Sequence, residues 1–363
     1  MINWAKPFFL GNEEKYLVDA FRSTWISGGA YVDRFEKEFA NIINTNHVIT
    51  TSNGTTALNL ALLGLDIGPG DEVIVPDFTF VAPGNTVLQI GATPVFVDVD
   101  KDTWNIDSNS IINAITPRTK AIIAVHLYGN VCNMEEIIKI AKEKNLYLIE
   151  DVAEAVFSKY NNQYAGTFGD VGCFSFQATK TITMGEGGAV VTNNSSIAEK
   201  MRKIRNHGMT SKRYWHDVVG YNYRLTNLQA AIGCAQLESL DNILLNKKRV
   251  YETYLEKLKD IKGINFQKIS EKVSPIMWAV AIKIDAEKFK LNRDSLIQEL
   301  LKKEIETRPG FYPFSVMPFY KSAICKNSEE IGKDIIVLPS YPELTEDEIN
   351  YICNELKNIL INQ

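Results

Sequence analysis

Most functional classes are excluded by what this sequence has little of. The 363-residue chain has no run of about 18 apolar residues, so no segment is suited to cross a bilayer as a helix. Histidine is scarce, at 4 scattered residues, which leaves little for a metal centre. The 5 cysteines (Cys132, Cys173, Cys234, Cys325, Cys353) are odd in number and widely spaced, and no CxxC occurs. That pattern reads as free thiols in a reducing compartment rather than disulfides or zinc ligands. An excess of basic charge is missing too: Lys+Arg 39 against Asp+Glu 44 gives a net charge of -5. A surface built for a polyanion is not expected, and nucleic acid drops out as the main partner. The opening MINWAKPFFLGNEEK lacks a basic segment followed by an apolar stretch and a small-residue cleavage site, so the expected location is the cytoplasm. Neither GxxxxGK[ST] nor GxGxxG is present, which lowers the ATPase and dinucleotide readings.

What remains is an average globular composition, 45% hydrophobic and 23% charged, in a chain long enough for roughly two domains. From residue 45 to about 195, short β-branched runs alternate with helical stretches. Glu72-Val73-Ile74-Val75, Ala121-Ile122-Ile123-Ala124-Val125 and Gly188-Ala189-Val190-Val191-Thr192 are nearly continuous apolar strands. Strands of that kind belong to a sheet buried on both faces. Helix-like segments such as Thr55–Leu63 and Met134–Lys142 lie between them, so the expectation is an α/β fold with a largely parallel sheet. A long helix from Leu228 to about Leu258 leads to a smaller second unit. That unit offers a strand at Ile276–Ile282, helices at 293–304 and 345–360, and a capping-box start at Thr345-Glu346-Asp347-Glu348. The expected division is 1–240, a large ligand-binding domain with the N-terminal segment, and 241–363, a small C-terminal domain.

Four features fall in loops after strands, where open α/β sheets place ligands. Thr51-Ser52-Asn53-Gly54-Thr55-Thr56-Ala57 opens a helix with small and hydroxyl residues; it suits a phosphate, or is a plain N-cap by Ser or Thr. Glu150-Asp151-Val152-Ala153-Glu154 ends a strand; its acids can bind Mg²⁺, cap a helix at Val152–Val156, or hold a cationic ring nitrogen. Lys180 lies in a polar loop with Thr neighbours and a glycine cluster behind it. It is either a solvated surface amine or a Schiff-base nucleophile, which requires a lowered pKa. Gly220-Tyr221-Asn222-Tyr223-Arg224-Leu225-Thr226-Asn227-Leu228 is either a capped helix start or a donor-rich binding loop. No single feature is specific, but their order is. A hydroxyl and helix amides for a phosphate, a carboxylate for a pyridinium nitrogen and a lysine for an aldehyde describe one ligand, pyridoxal 5′-phosphate (PLP).

The residues carrying that reading resemble the fold-type I, PLP-dependent aminotransferases of the DegT/DnrJ/StrS family, which act on nucleotide-linked keto sugars. The stretches SNGTTAL, PGDEVIVPDFTFVA, GATPVFVDVD, VHLYG, IEDVAEA, GDVGCFSF, GEGGAVVTNN and YNYRLTNLQAA carry the likeness, which covers nearly the whole chain. Perosamine-synthase-like members carry similar KTITxGEGG and TRPxFYPxxxMP segments. The resemblance implies a mostly parallel seven-stranded sheet between helices, plus a smaller α+β C-terminal domain. It implies that Lys180 carries the cofactor covalently and moves the substrate proton, that Asp151 pairs with the pyridine nitrogen, and that Phe80 stacks on the ring. Gly54, Thr55 and Ser175 would hold the phosphate, and Asn222 would reach the cofactor of a neighbouring subunit, so the expected state is a homodimer with shared active sites. Glu154 falls near the cofactor's phenolic oxygen, a place where two negative charges would repel. Trp25, Arg224, Arg308 and Tyr312 are the candidate acceptor contacts, the two arginines supplying positive charge for phosphates. No metal site is expected.

The implied reaction moves the amino group of L-glutamate, through the pyridoxamine 5′-phosphate form, to C4 of a nucleotide-linked 4-keto-6-deoxy sugar for surface polysaccharide biosynthesis. In Thr307-Arg308-Pro309-Gly310-Phe311-Tyr312-Pro313, Gly310 stands where a bulky aromatic is expected. That departure opens an alternative acceptor, a small phosphorylated ketone such as a triose phosphate. A non-catalytic, PLP-binding regulatory protein is the third reading, and the presence of Asp151, Ser175 and Lys180 argues against it.

Overall fold

The computed structural model describes residues 1–320 and 324–361. In chain order the first strands are β1 (His47–Thr51), β2 (Glu72–Pro76), β3 (Thr93–Val97), β4 (Thr119–Val125) and β5 (Tyr147–Asp151). A short hairpin, β6 (Lys159–Tyr160) and β7 (Gln163–Tyr164), precedes β8 (Val171–Ser175) and β9 (Gly188–Thr192). Seven of these form one sheet in the order β1-β9-β8-β5-β4-β2-β3. The pairings β2–β3, β2–β4, β4–β5 and β5–β8 are parallel, while β9 runs antiparallel to both β8 and β1. The expected architecture is thus present, a mostly parallel seven-stranded α/β sheet.

The sheet is buried on both faces, and the two-residue period of a strand divides each between two cores. Val73 and Val75 of β2, with Ala121, Ile123 and Val125 of β4, enter one core together with Leu58, Ala61 and Leu62 of the helix Gly54–Gly64. Ile74, Ile122 and Ala124 point the other way, into a core with Phe35, Phe39 and Ile137. The same alternation governs the strand ends. Ile149 faces the first core and Leu148 the second. Asp151 therefore shares the first face, and Glu150 the second.

The C-terminal part adds β10 (Ile264–Phe266), β11 (Val273–Ser274), β12 (Val280–Ile284), β13 (Arg308–Pro309) and β14 (Ile335–Leu338). Four of them form a second sheet in the order β10-β12-β14-β13, while β11 pairs with β6. This sheet and the helices Leu240–Leu258, Arg293–Lys302 and Glu346–Ile361 surround a separate core that includes Val250, Ile282, Leu300 and Leu356. That separate core supports the proposed division near residue 240. The first residues join the C-terminal sheet, however: Ile2 bridges Ile305, and the Ser340 amide donates to the Trp4 carbonyl at 3.1 Å.

The long helix expected over Leu228–Leu258 is two helices, Asn227–Glu238 and Leu240–Leu258, broken at Ser239. The break lies where the N-terminal segment crosses, held by the buried Gln236 amide donating to the Phe8 carbonyl and to Glu13 Oε1. Thr226 caps the first of the two in a capping box with Gln229. Thr345 and Glu348 form the capping box read from the sequence for the last helix. The strand expected at Ile276–Ile282 begins only at Val280. Residues 276–278 are pinned instead to the loop after β4: a side chain at Gly129 (φ +118°) would lie 2.5 Å from the Ile276 carbonyl oxygen and the Met277 Cα. No helix follows Asp151 either; residues 152–158 turn without one. Among the described residues no helix is long and apolar enough to cross a membrane, and no group of His, Cys, Asp and Glu is arranged to hold a metal ion. Cys132, Cys173, Cys234 and Cys353 are buried free thiols.

Candidate active site

A cavity of about 550 Å³ opens at the C-terminal ends of the parallel strands. Its floor is set by sheet register. Asp151 ends β5 and Ser175 ends β8, both on the face covered by the helix Gly54–Gly64. Asn53 caps that helix, accepting the Thr56 amide at 2.9 Å, while Thr56 Oγ1 accepts the Asn53 amide at 3.1 Å. The cap is thus Asn53, neither of the hydroxyl residues expected, and it contributes about 1 kcal/mol to the helix. It engages the third helical amide and leaves Gly54 and Thr55 lining the cavity at the positive end of the helix dipole. A Cβ on Gly54 would stand 2.7 Å from Ser175 Cβ, so only glycine lets the helix start meet the end of β8.

The alternation of the strand also resolves the acid cluster. Glu150 is buried on the far face, where Oε2 meets His126 Nε2 at 3.0 Å and accepts the Gly166 amide at 2.8 Å. Its Oε1 accepts the amides of Phe168 and Gly169, each at 2.7 Å. Glu150 is thereby fully engaged in holding loops. Asp151, buried on the cavity face, keeps one carboxylate oxygen uncommitted while Oδ1 accepts the Ala153 amide at 3.0 Å. Burial pushes its pKa up, against the pull of the Ala153 hydrogen bond and the Lys180 charge. Glu154 is buried as well; its Oε2 accepts the Tyr128 amide at 2.9 Å, and burial lifts its pKa to about 7.

Lys180 stands opposite these two acids, in the loop that joins β8 to antiparallel β9. Its Nζ lies 3.8 Å from the centre of the Trp278 ring. Burial lowers the pKa of the amine, while Glu154 and Asp151 oppose that shift. An amine whose pKa is lowered by burial, beside two buried carboxyls, is the composition a Schiff-base nucleophile needs.

Of the residues singled out in the sequence, Gly54, Thr55, Phe80, Asp151, Glu154, Ser175, Lys180 and Arg308 line this one cavity. Arg308 also pairs with Glu306 Oε1 at 2.6 Å and lies over Trp4, 5.8 Å from the ring centre. Trp25, Asn222, Arg224 and Tyr312 lie outside the cavity. Trp25 is 72% exposed, Asn222 Oδ1 accepts from Arg224 Nε at 3.0 Å, and the Tyr312 hydroxyl accepts from Arg293 Nη2 at 3.2 Å. Four aromatic side chains that the sequence reading missed complete the walls: Trp4, Tyr128, Trp278 and Phe311. The Tyr128 ring stacks on Phe311 at 5.5 Å and on Trp278 at 6.3 Å. Trp278 was hidden inside an apparent strand, and nothing in its local sequence announces the contact.

Gly310 takes on a different meaning in three dimensions. A Cβ there would stand 2.7 Å from Ile335 Cβ, so the position packs on the cluster that holds Ile335 with Tyr128, Trp278 and Val337, and its neighbours Pro309 and Phe311 line the cavity. Gly310 itself does not line the cavity.

The donor set fits PLP: helix amides and a hydroxyl for a phosphate, a buried carboxyl for a ring nitrogen, an aromatic face at Phe80 and a lysine in one cavity. Such a set on this sheet defines a fold-type I PLP-dependent transaminase. The chain belongs to the DegT/DnrJ/EryC1/StrS aminotransferase family, whose pattern matches residues 10–357. It is 44% identical to the GDP-perosamine synthase of Escherichia coli O157:H7, over 97% of this chain and 96% of that one. It is 44% identical to the GDP-perosamine synthase of Vibrio cholerae, over 99% of each chain. The structure is similar to the PMP form of a sugar aminotransferase of Streptococcus pneumoniae, Spr1654, described as putative, with a TM-score of 0.94, 26% identity and 100% of both chains covered.

Proposed function

We propose that the chain aminates C4 of a nucleotide-linked 4-keto-6-deoxy sugar, a GDP-linked one by preference, with L-glutamate as donor. The observation that carries this is the convergence of Lys180, Asp151 and the Gly54–Ser175 contact on one cavity. The two perosamine synthases similar over nearly all of both chains support the choice of acceptor.

When bound, PLP supplies an electron sink for the carbanion left by deprotonation. The protein's own residues do the rest. Gly54 and Thr55 amides, with Ser175, would bind the phosphate and fix the register of the ring. Asp151 would hold the proton of the ring nitrogen, and its remaining carboxylate oxygen is oriented for this by the Ala153 hydrogen bond. Phe80 orients the ring from one face. Lys180 Nζ would take the proton from the amino-bearing carbon of the donor and deliver it to the carbon that carried the aldehyde, then run the transfer in reverse for the acceptor, a task for which its lowered pKa suits it. Glu154, with its pKa near neutrality, would stay protonated in part and could donate to a phenolic oxygen instead of repelling it. Arg308 at the mouth offers charge to the acceptor's phosphates.

A dimer completes the reading. Asn222 and Arg224 do not line the cavity of their own chain, and exposed Trp25, Ile26, Trp215 and Val219 lie on segments hydrogen-bonded to the loop that carries them. We assign Asn222 and Trp25 to the partner's site, and the cytoplasm as the place of work. The test is a panel of GDP-, UDP- and dTDP-linked 4-keto-6-deoxy sugars and triose phosphates, with glutamate as donor. Amination of the GDP-linked ketone at the highest kcat/KM is expected. Turnover of triose phosphates alone would overturn the proposal.

A further inference from the structure

Beneath the Lys180 loop a second basic side chain is buried without an acid. Lys247, on the helix Leu240–Leu258, is 4% exposed. Its Nζ donates to the Trp278 carbonyl at 2.7 Å and to the Ser340 carbonyl at 2.9 Å, and among the described residues no carboxylate pairs with it. Buried amines are ordinarily paired with an acid, because desolvating the charge is costly. The residue it grips is the one that covers the reactive lysine. The Trp278 ring stands 3.8 Å from Lys180 Nζ, and its indole N–H donates to the Thr179 carbonyl at 2.8 Å. Lys247 and Lys180 also line one small cavity of about 20 Å³, the room of a single water. Through so little solvent, like charges act on each other with little screening.

We propose that Lys247 is a positioning residue for Lys180: it fixes Trp278 over the Lys180 amine from below and sets a like charge across the cavity the two lysines share. The proposal rests on the reading of Lys180 as the cofactor-bearing lysine. Other titratable groups near the pair are few. Lys6 and Tyr341 line the small cavity, Lys6 being paired with Glu343 at 2.7 Å, and Gln236 on the same wall passes its hydrogen bond to Glu13. Glu154 and Asp151 face Lys180 from the opposite side and pull its pKa upward. Lys247 works against them. Burial and the charge of Lys180 bring the pKa of Lys247 itself down to about 7, so its influence fades as pH rises through that region.

The experiment is a spectroscopic pH titration of the holoenzyme, read as the midpoint at which the visible absorbance of the bound cofactor changes. Lys247→Gln keeps a donor for the carbonyls and removes the charge; Lys247→Met removes both; Lys247→Arg keeps the charge. With a like charge gone, the Gln and Met variants should titrate about one pH unit higher than the parent. The Arg variant, whose charge does not fade with pH, should titrate no higher than the parent. A midpoint unmoved in Lys247→Gln, or moved equally in Lys247→Gln and Lys247→Arg, overturns the proposal. A holoenzyme with no visible band dependent on Lys180 would instead fail the reading of the site on which this one rests.

Discussion

The floor and the rim of the cavity are built differently. Every floor residue ends a strand of the central sheet, opens a helix against it or lies in the connection between two of its strands: Gly54 after β1, Asp151 on β5, Ser175 on β8 and Lys180 in the loop to β9. Their positions follow from strand register, and the backbones meet closely enough to exclude a methyl group at Gly54. The candidate rim residues Trp25, Asn222 and Arg224 are exposed, and their segments reach the floor only through neighbours such as Tyr223, whose carbonyl accepts the Ser52 amide at 2.9 Å. On the proposed reading, a single chain contains the chemistry of transamination but only part of the surface that selects the acceptor. Reaction type is expected to be robust to changes at the rim, and acceptor choice sensitive to them.

The largest expected effect tests whether the rim is shared. Lys180→Ala should lower turnover by on the order of 10⁴-fold or more. Asn222→Ala should weaken cofactor retention about tenfold, as expected for one lost hydrogen bond to a charged group. If Asn222 serves the partner, a hybrid dimer of the two variants has one site carrying both lesions and one carrying neither. At limiting PLP, activity should then exceed the average of the two variants when they are purified separately, mixed and allowed to exchange subunits. Mixtures no more active than that average would place Asn222 in its own chain's site or in none.

A second prediction concerns the floor. Burial raises the Glu154 pKa from 4.5 to about 7, so the cost of its charge is absent at acid pH and grows as pH rises through that window. Glu154→Gln has no such cost. In the cofactor-free protein it should melt like the parent near pH 4 and be more stable at pH 8, by up to about 3 kcal/mol. Equal offsets at both values would mean that the carboxyl is not buried in its charged form. The smallest effect belongs to Gly310. Gly310→Ala should cost about 1–3 kcal/mol in urea unfolding, because its methyl meets Ile335, and should leave the ratio of kcat/KM among acceptors unchanged. A changed ratio would restore this loop to acceptor selection.

The sequence carried the floor well because its signals are local. Continuous apolar runs such as Glu72–Val75 mark strands buried on both faces, and small residues at Asn53–Thr55 mark a helix start against a close neighbour. The choice between Glu150 and Asp151 was invisible locally, since only the two-residue alternation, anchored by the burial of Leu148 and Ile149, assigns them to opposite faces. Trp278 read as a strand residue because its run is apolar; the close packing of 276–278 on Gly129, distant in sequence, keeps it out of the sheet. Lys247 read as one of many helix lysines. Its burial depends on two carbonyls, Trp278 and Ser340, contributed by separate strand ends.

The antiparallel strand β9 has a consequence for how the enzyme comes into being. It lies between β8 and β1, and its pairing of Thr192 with His47 joins segments far apart in the chain. Closing so long a loop is entropically costly and is repaid only once the sheet around it exists. The phosphate-facing helix start and the lysine flank that pairing, one following β1 and the other preceding β9. The two are brought together only by that long-range pairing, so the cavity that holds both cannot assemble from either segment alone.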